Sequence, residues 1–306
     1  MDPLLASAMF VLGLAFGSFL NVCIYRLPRD LSIVHPRSAC PNCGQLVRFY
    51  DNIPVASWLL LRGRCRYCKT RITSRYVVVE LLVAALFLGG YWYFGLAWAT
   101  LKYCTFGFLL IGLIFTDAET QLLPDELTLT GLVLGLCFSL LVPVNDLITH
   151  FLPGLVSVPH AFSGWRLLSL GDSVLGAVIG ASFIYGVGEI YFRARGVEGM
   201  GFGDVKLMAM IGAFLGLRLT ILTLFAASIS GSLVGVSTVL VVWIKRTRRR
   251  MQKHHETAAE ARRHAWQSAA IALRSYPMPF GVFLGSMAMV ALFFGNQFLH
   301  WYWGLL

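Results

Sequence analysis

Apolar residues run along this chain in long blocks separated by short polar or basic segments. A helix that crosses a bilayer needs on the order of 20 mostly apolar residues. The pattern predicts eight such helices, over Pro3–Tyr25, Tyr76–Phe94, Ala99–Thr116, Glu126–Pro143, Asp172–Phe192, Val205–Leu217, Leu219–Ile244 and Met278–Trp303. The sixth is short, at 13 residues, and is expected to be tilted or only partly inserted. Tyr91, Trp92, Tyr93, Trp98, Trp301, Tyr302 and Trp303 cluster at proposed ends, where amphipathic rings sit at the headgroup level. Some of them would pack inside the bundle instead.

Composition agrees with a membrane solvent. The chain is 57% hydrophobic and 13% charged, whereas soluble domains carry roughly 25% charged residues. A net charge of +10 raises nucleic acid as a partner, but its distribution argues for a different role. Ten of the 25 Lys and Arg fall in Arg26–Arg75 and nine in Lys245–Arg274. Basic segments between spans mark cytoplasmic loops and can touch anionic headgroups. No nucleic-acid recognition motif accompanies them, so membrane lipid is an expected partner and nucleic acid is not. The first apolar run has Arg26 and Arg29 behind it and no basic residue in front. That is the reverse of a secretory signal and orients a first helix with its N-terminus outside. Both basic loops, the Asp117–Asp125 turn and the Arg193–Gly203 segment then fall on the cytoplasmic side.

The first basic loop carries two CxxC pairs, Cys40-Pro41-Asn42-Cys43 and Cys65-Arg66-Tyr67-Cys68. Each forms a tight knuckle presenting two sulfurs, and together they supply four thiolates for a tetrahedral ion. Metal binding outcompetes disulfides in a reducing compartment, and a closed four-sulfur set points to structural zinc, with iron as the alternative. Cys23, Cys104 and Cys137 lie in apolar runs and are expected to pack rather than ligate. The fold class is therefore all-α: a polytopic membrane protein with about eight transmembrane helices and a small cytoplasmic zinc-binding domain.

Acids at membrane depth are costly and mark functional sites by default. Asp117 ends the third block and Asp204 begins the sixth, behind Gly201-Phe202-Gly203. At a helix C-terminus the dipole opposes the charge of Asp117, which gives it no structural explanation, whereas Asp204 sits at a favourable N-terminus. Asp125 follows Pro124 at another helix start, so dipole and loop geometry account for it. Gly201 and Gly203 allow close backbone approach or positive φ, leaving clearance for an extended peptide over Asp204. Asn21 either caps a neighbouring helix or binds a polar ligand. Asp51 and Asn52 either form a turn before Pro54 or bind a ligand. Glu80, one turn into the second block, either pairs with the basic loop or receives a substrate amine. His150 and His160, in the external segment Val144–Leu170, make a weak metal signal. In the second basic loop Trp266, Ala270 and Leu273 share helical spacing, which fits a helix along the headgroups or a solvated one.

In order along the chain, GSFLNV at Gly17–Val22 with Arg26-Leu27-Pro28, the CxxC pairs flanking Asp51-Asn52-Ile53-Pro54, TDAETQLLPD at Thr116–Asp125, GMGFGDVKL at Gly199–Leu207 and PMPFG at Pro277–Gly281 resemble the bacterial type IV prepilin peptidases. The resemblance covers nearly the whole chain. It implies a bacterial inner-membrane, multi-pass aspartyl protease with its catalytic face in the cytoplasm. Such an enzyme cuts prepilin or pseudopilin leaders after a glycine and methylates the new N-terminus with S-adenosylmethionine. It maps the catalytic aspartates to Asp117 and Asp204. The methyl donor has no glycine-rich dinucleotide fingerprint to occupy, which leaves Asn21, Asp51, Asn52 and Glu80 as candidates. Three parts are expected: residues 1–25 as a first span; 26–75 as a zinc domain linked to methyl transfer; and 76–306 as the protease membrane domain, with a basic insertion at 245–277. A peptidase lacking methyl transfer, and a zinc-stabilised scaffold or transporter, are the rival functions.

Overall fold

The computed structural model describes residues 2–144, 146, 164–196, 201–254, 257–275 and 279–303. Among these residues there are nine α-helices and no strand: α1 (Pro3–Arg26), α2 (Ala56–Leu60), α3 (Arg75–Phe94), α4 (Trp98–Thr120), α5 (Asp125–Ser139), α6 (Gly164–Arg195), α7 (Phe202–His254), α8 (Ala258–Ser275) and α9 (Phe280–Trp303). Six of them, α1, α3, α4, α6, α7 and α9, are long and apolar enough to cross a membrane.

The sixth and seventh expected spans form one element, α7, broken at Gly216 (φ 77°, ψ 177°). Only glycine accepts that conformation without strain, and a Cβ there would lie 2.6 Å from Asp146 Oδ2. Asp146 holds the break: its Oδ2 accepts from Arg218 N (2.8 Å) and its Oδ1 pairs with Arg218 Nε (2.6 Å). The fourth expected span is shorter than predicted, with 15 helical residues. Pro143 has no amide to continue the ladder and restricts the residue before it. The fifth starts at Gly164, eight residues before the predicted Asp172. Buried polar residues at this end of α6 find partners across the fold: Ser169 Oγ donates to Ser139 O (2.6 Å) and accepts from Val144 N (2.8 Å), while Asp172 accepts from Asp146 N (3.2 Å). Most of the Val144–Leu170 segment, with His150 and His160, lies outside the described residues.

Two buried clusters share α4. One joins Phe106, Leu110 and Leu113 to Leu207, Met208, Met210, Ile211 and Phe214 of α7 and Leu284 of α9. The other joins Cys104 and Ile111 to Leu20 and Ile24 of α1 and Val79 and Val83 of α3. Leu27 packs against both. Between helices in lipid, packing contact rather than water exclusion is the driving force, so small residues at the crossings matter. At Gly17 an added Cβ would come 2.6 Å from Glu80 Cα, and this close approach brings α1 and α3 together. In the basic insertion, α8 buries Ala261 and Ala265. It is tied to α7 through the Trp243–Trp266 edge contact and the bond from Trp243 Nε1 to Arg262 O (3.1 Å). Trp266 is exposed, and the side chains of Ala270 and Leu273 lie outside the described residues.

Candidate active site and metal centre

The segment between α1 and α3 repeats one small device at an interval of 25 residues. Cys40 N bonds Gln45 O (2.9 Å) and Gly44 N bonds Cys40 O (2.9 Å); likewise Cys65 N bonds Thr70 O (2.9 Å) and Lys69 N bonds Cys65 O (3.1 Å). Positive φ at Gly44 (69°) and Lys69 (56°) turns each knuckle, and short bridges, Ala39 with Leu46 and Arg64 with Arg71, close them. The four sulfurs lie within 4.8 Å of one another, with Cys40 Sγ and Cys68 Sγ 3.8 Å apart. Zinc at about 2.3 Å from each of four tetrahedral sulfurs requires them to be about 3.8 Å apart, so the donor set fits this ion. Hydrogen bonding by the Thr70 hydroxyl, with its amide and the Asn42 side chain, holds the Cys68 thiol down at about 5. Gln45 N–H favours the Cys43 thiolate, yet removal from water and the neighbouring sulfurs push Cys43 up to about 11.

Asp117 and Asp204 are both buried, at 5% and 8% exposure. Asp117 occupies the last turn of α4, and Asp204 the first turn of α7. Leu123 links their surroundings, packing against Gly203 next to Asp204 and against Gly281 next to Asp117. Asp117 Oδ2 accepts from Val282 N at 2.9 Å, across 165 residues of sequence. The neighbouring Gly281 leaves the carboxylate room, since a Cβ there would lie 2.8 Å from Oδ2. Leu123, in the α4–α5 turn, closes the floor: its Cδ1 would be 3.2 Å from a Cβ on Gly203 and 3.3 Å from one on Gly281. Gly203 is thus used for close approach; a Cβ on Gly201 would meet only Gly203 N, at 3.9 Å, among the described residues, and neither glycine has positive φ. Asp125 differs in kind. Its side chain is 55% exposed and pairs with Lys206 Nζ (2.6 Å), joining the first turns of α5 and α7. The Asp117–Val282 contact and the Lys206 partner were not legible in the sequence. PMPFG and the Lys two places after Asp204 were the signals, but only folding pairs them with α4 and α5.

The four candidates for methyl-donor contacts do not converge. Both oxygens of Asp51 are taken by Arg66, through Nε (2.7 Å) and Nη2 (2.6 Å), and this hydrogen-bonded ion pair holds its carboxyl below the usual range. Glu80, between α1 and α3, accepts from Val55 N (2.8 Å) rather than from a basic residue. That bond fixes a β-branched residue at φ 58°, a conformation that costs on the order of 1–3 kcal/mol. Asn21 Nδ2 donates to Tyr76 O (3.0 Å) at the start of α3, while its buried Oδ1 has no partner among the described residues. Asn52 lines an open cleft.

Residues 11–94 match the model of the bacterial peptidase A24 N-terminal domain, and residues 104–236 match that of the type IV leader peptidase family. The chain is 32% identical to a prepilin leader peptidase/N-methyltransferase of Aeromonas hydrophila, over 97% of this chain and 93% of that one. It is 36% identical to a protein of the same description from Stutzerimonas stutzeri, over 94% and 90%, and 35% identical to one from Neisseria gonorrhoeae, over 77% and 83%. No solved structure matches the chain.

Proposed function

Since the chain belongs to the type IV leader peptidase family, we propose that it cleaves the leaders of prepilins or pseudopilins at the cytoplasmic face of a bacterial inner membrane. In this proposal Asp117 and Asp204 form the catalytic dyad, and S-adenosylmethionine donates a methyl group to the new N-terminus. What supports the dyad is the burial of two carboxylates, 87 residues apart in sequence, at helix ends whose neighbours Gly203 and Gly281 both pack on Leu123. In this reading Arg26 and Arg75 bound the cytoplasmic face, as the last residue of α1 and the first of α3.

Two close carboxylates share one proton, and their titration belongs to the pair. The ionised member takes a proton from water as that water attacks the scissile carbonyl, and the protonated member donates to the developing oxyanion. Val282 N–H fixes one oxygen of Asp117, so the carboxylate is oriented before substrate arrives. Gly201 and Gly203 carry no side chains, which leaves backbone clearance for an extended peptide beside Asp204. Zinc, held by Cys40, Cys43, Cys65 and Cys68, contributes folding energy to a segment too small for its own core.

Asp117→Asn and Asp204→Asn should each abolish cleavage of a purified prepilin in detergent, with thermal unfolding preserved. Full activity in either variant removes the dyad. Mass spectrometry of the product's N-terminus, with and without methyl donor, decides separately whether methylation follows.

A further inference from the structure

Two residues beyond each proposed catalytic aspartate stands a charged residue that grips the first residue of another helix. Glu119, behind Asp117, takes Nη1 of Arg75 with both carboxylate oxygens, and Arg75 opens α3. Lys206, behind Asp204, donates to both oxygens of Asp125 (2.6 and 2.7 Å), which opens α5. With 3.6 residues per turn, positions i and i+2 point about 200° apart on a helix, so each ion pair holds its helix from the side away from the aspartate. The two pairs are not equal. The Arg75 and Glu119 side chains are 11% and 35% exposed, against 22% and 55% for Lys206 and Asp125.

Local helix energetics do not account for the more enclosed pair. A cation at the start of α3 and an anion at the end of α4 each oppose the dipole of their own helix. The basic flank of a span explains a cation at Arg75 but leaves Glu119 without a local reason. Arg75 is also held in place. Its guanidinium lies over the Tyr76 ring at 4.7 Å, and its buried Nε has no partner among the described residues. Three residues earlier, Ile72 N donates to Gly63 O (2.7 Å) and Ile72 O accepts from Trp58 Nε1 (3.2 Å), which fixes the chain leading into α3. A firmly placed cation therefore meets the last turn of α4. That turn closes on Gln121 at φ 55°, with Gln121 N bonded to Asp117 O (2.9 Å). Helix ends open at low cost unless something outside the helix holds them.

We infer that Arg75 and Glu119 are positioning residues for Asp117: their ion pair clamps the last turn of α4 from the α3 side, while Val282 N–H holds the carboxylate from α9. The inference rests on the catalytic role proposed for Asp117. Above this turn, α4 packs on α1 and α3 through one buried cluster and on α7 and α9 through the other. The clamp extends that two-sided hold to the turn that carries the aspartate.

The test measures prepilin cleavage by the full-length enzyme in detergent, with kcat and KM separated, and amide hydrogen exchange along α4. Glu119→Ala and Arg75→Gln should each lower kcat about tenfold, as for a reacting group displaced by a fraction of an ångström, with KM within about twofold of wild type. The double variant should be no slower than the slower single one, because both remove the same interaction. The reversed pair, Arg75→Glu with Glu119→Arg, should recover most of the lost kcat. Amides of Thr116–Gln121 should exchange faster in the single variants and slow again in the reversed pair, with the rest of α4 unchanged. A pair that only supported folding would lower the unfolding temperature and leave kcat of the folded enzyme as it was. Where a single variant does not fold, Glu119→Gln, which keeps the shape and loses the charge, decides: a few-fold loss of kcat supports the clamp, and wild-type kcat overturns it. Wild-type kcat or unaltered exchange in both single variants, additive losses in the double variant, or a folded reversed pair as slow as the single ones also overturns it. Wild-type enzyme that cuts neither prepilin nor pseudopilin overturns the protease reading, and this inference with it; wild-type cleavage with any of the former outcomes overturns the clamp alone.

Discussion

Gly281→Ala tests the fixing of Asp117 with one methyl group. The added Cβ would stand 2.8 Å from Asp117 Oδ2, 3.1 Å from its Cγ and 3.3 Å from Leu123 Cδ1. Carbon and oxygen need about 3.3–3.5 Å, so the carboxylate must move by roughly 0.5 Å or more, away from the α9 start that holds it. The displaced oxygen is the one bonded to Val282 N at 2.9 Å, and a bond to a charged group contributes about 1.5–3 kcal/mol. A shift of that size in a reacting group costs on the order of tenfold to a hundredfold in rate, or about 1.4–2.8 kcal/mol in barrier. The assay is prepilin cleavage in detergent, with kcat and KM separated and thermal unfolding recorded beside them. The loss should fall in kcat, because the substitution displaces a reacting carboxylate and leaves Gly201 and Gly203 unaltered. Gly89→Ala, where a Cβ meets nothing within 4 Å, is the neutral control. Wild-type kcat in Gly281→Ala, with the control behaving as stated, would refute the claim that this contact positions the carboxylate.

Asp125→Asn should lower cleavage only a few-fold, because a half-exposed ion pair is worth about 0.2–1 kcal/mol; complete loss would make Asp125 part of the chemistry. Gly216→Ala should destabilise the protein by on the order of 1–3 kcal/mol, from a positive φ and the Asp146 contact. An unchanged unfolding temperature would show that α7 does not need its break. Zinc retention against a fixed chelator should fall as the pH is lowered. Near neutrality Cys68, at about 5, is already a thiolate, while Cys43, at about 11, must lose a proton to bind metal. Each proton so released makes affinity rise about tenfold per pH unit, and retention that stays flat between about pH 6 and pH 8 contradicts this account.

The sequence by itself determined the all-helical membrane architecture, since apolar block length and basic flanks are local properties of the chain. It also determined the four-cysteine set that could hold a metal ion: CxxC spacing builds each knuckle within a few residues, and only the meeting of Cys40 with Cys68 needed the fold. Asp117 and Asp204 stood out because carboxylates at the ends of apolar runs are costly wherever the runs lead. The tertiary structure decided what those residues meet. Val282 reaches Asp117 from 165 residues away, and Lys206 takes up Asp125. Arg66 takes up Asp51, which the sequence could equally offer as a ligand contact. Asp146 and Asp172 draw polar residues into α6 and hold α7 at Gly216, so two spans predicted by hydropathy became one broken helix. Hydropathy reads the solvent around each segment. Which polar group is satisfied by which partner depends on segments distant in sequence, and in lipid that pairing is what fixes the site.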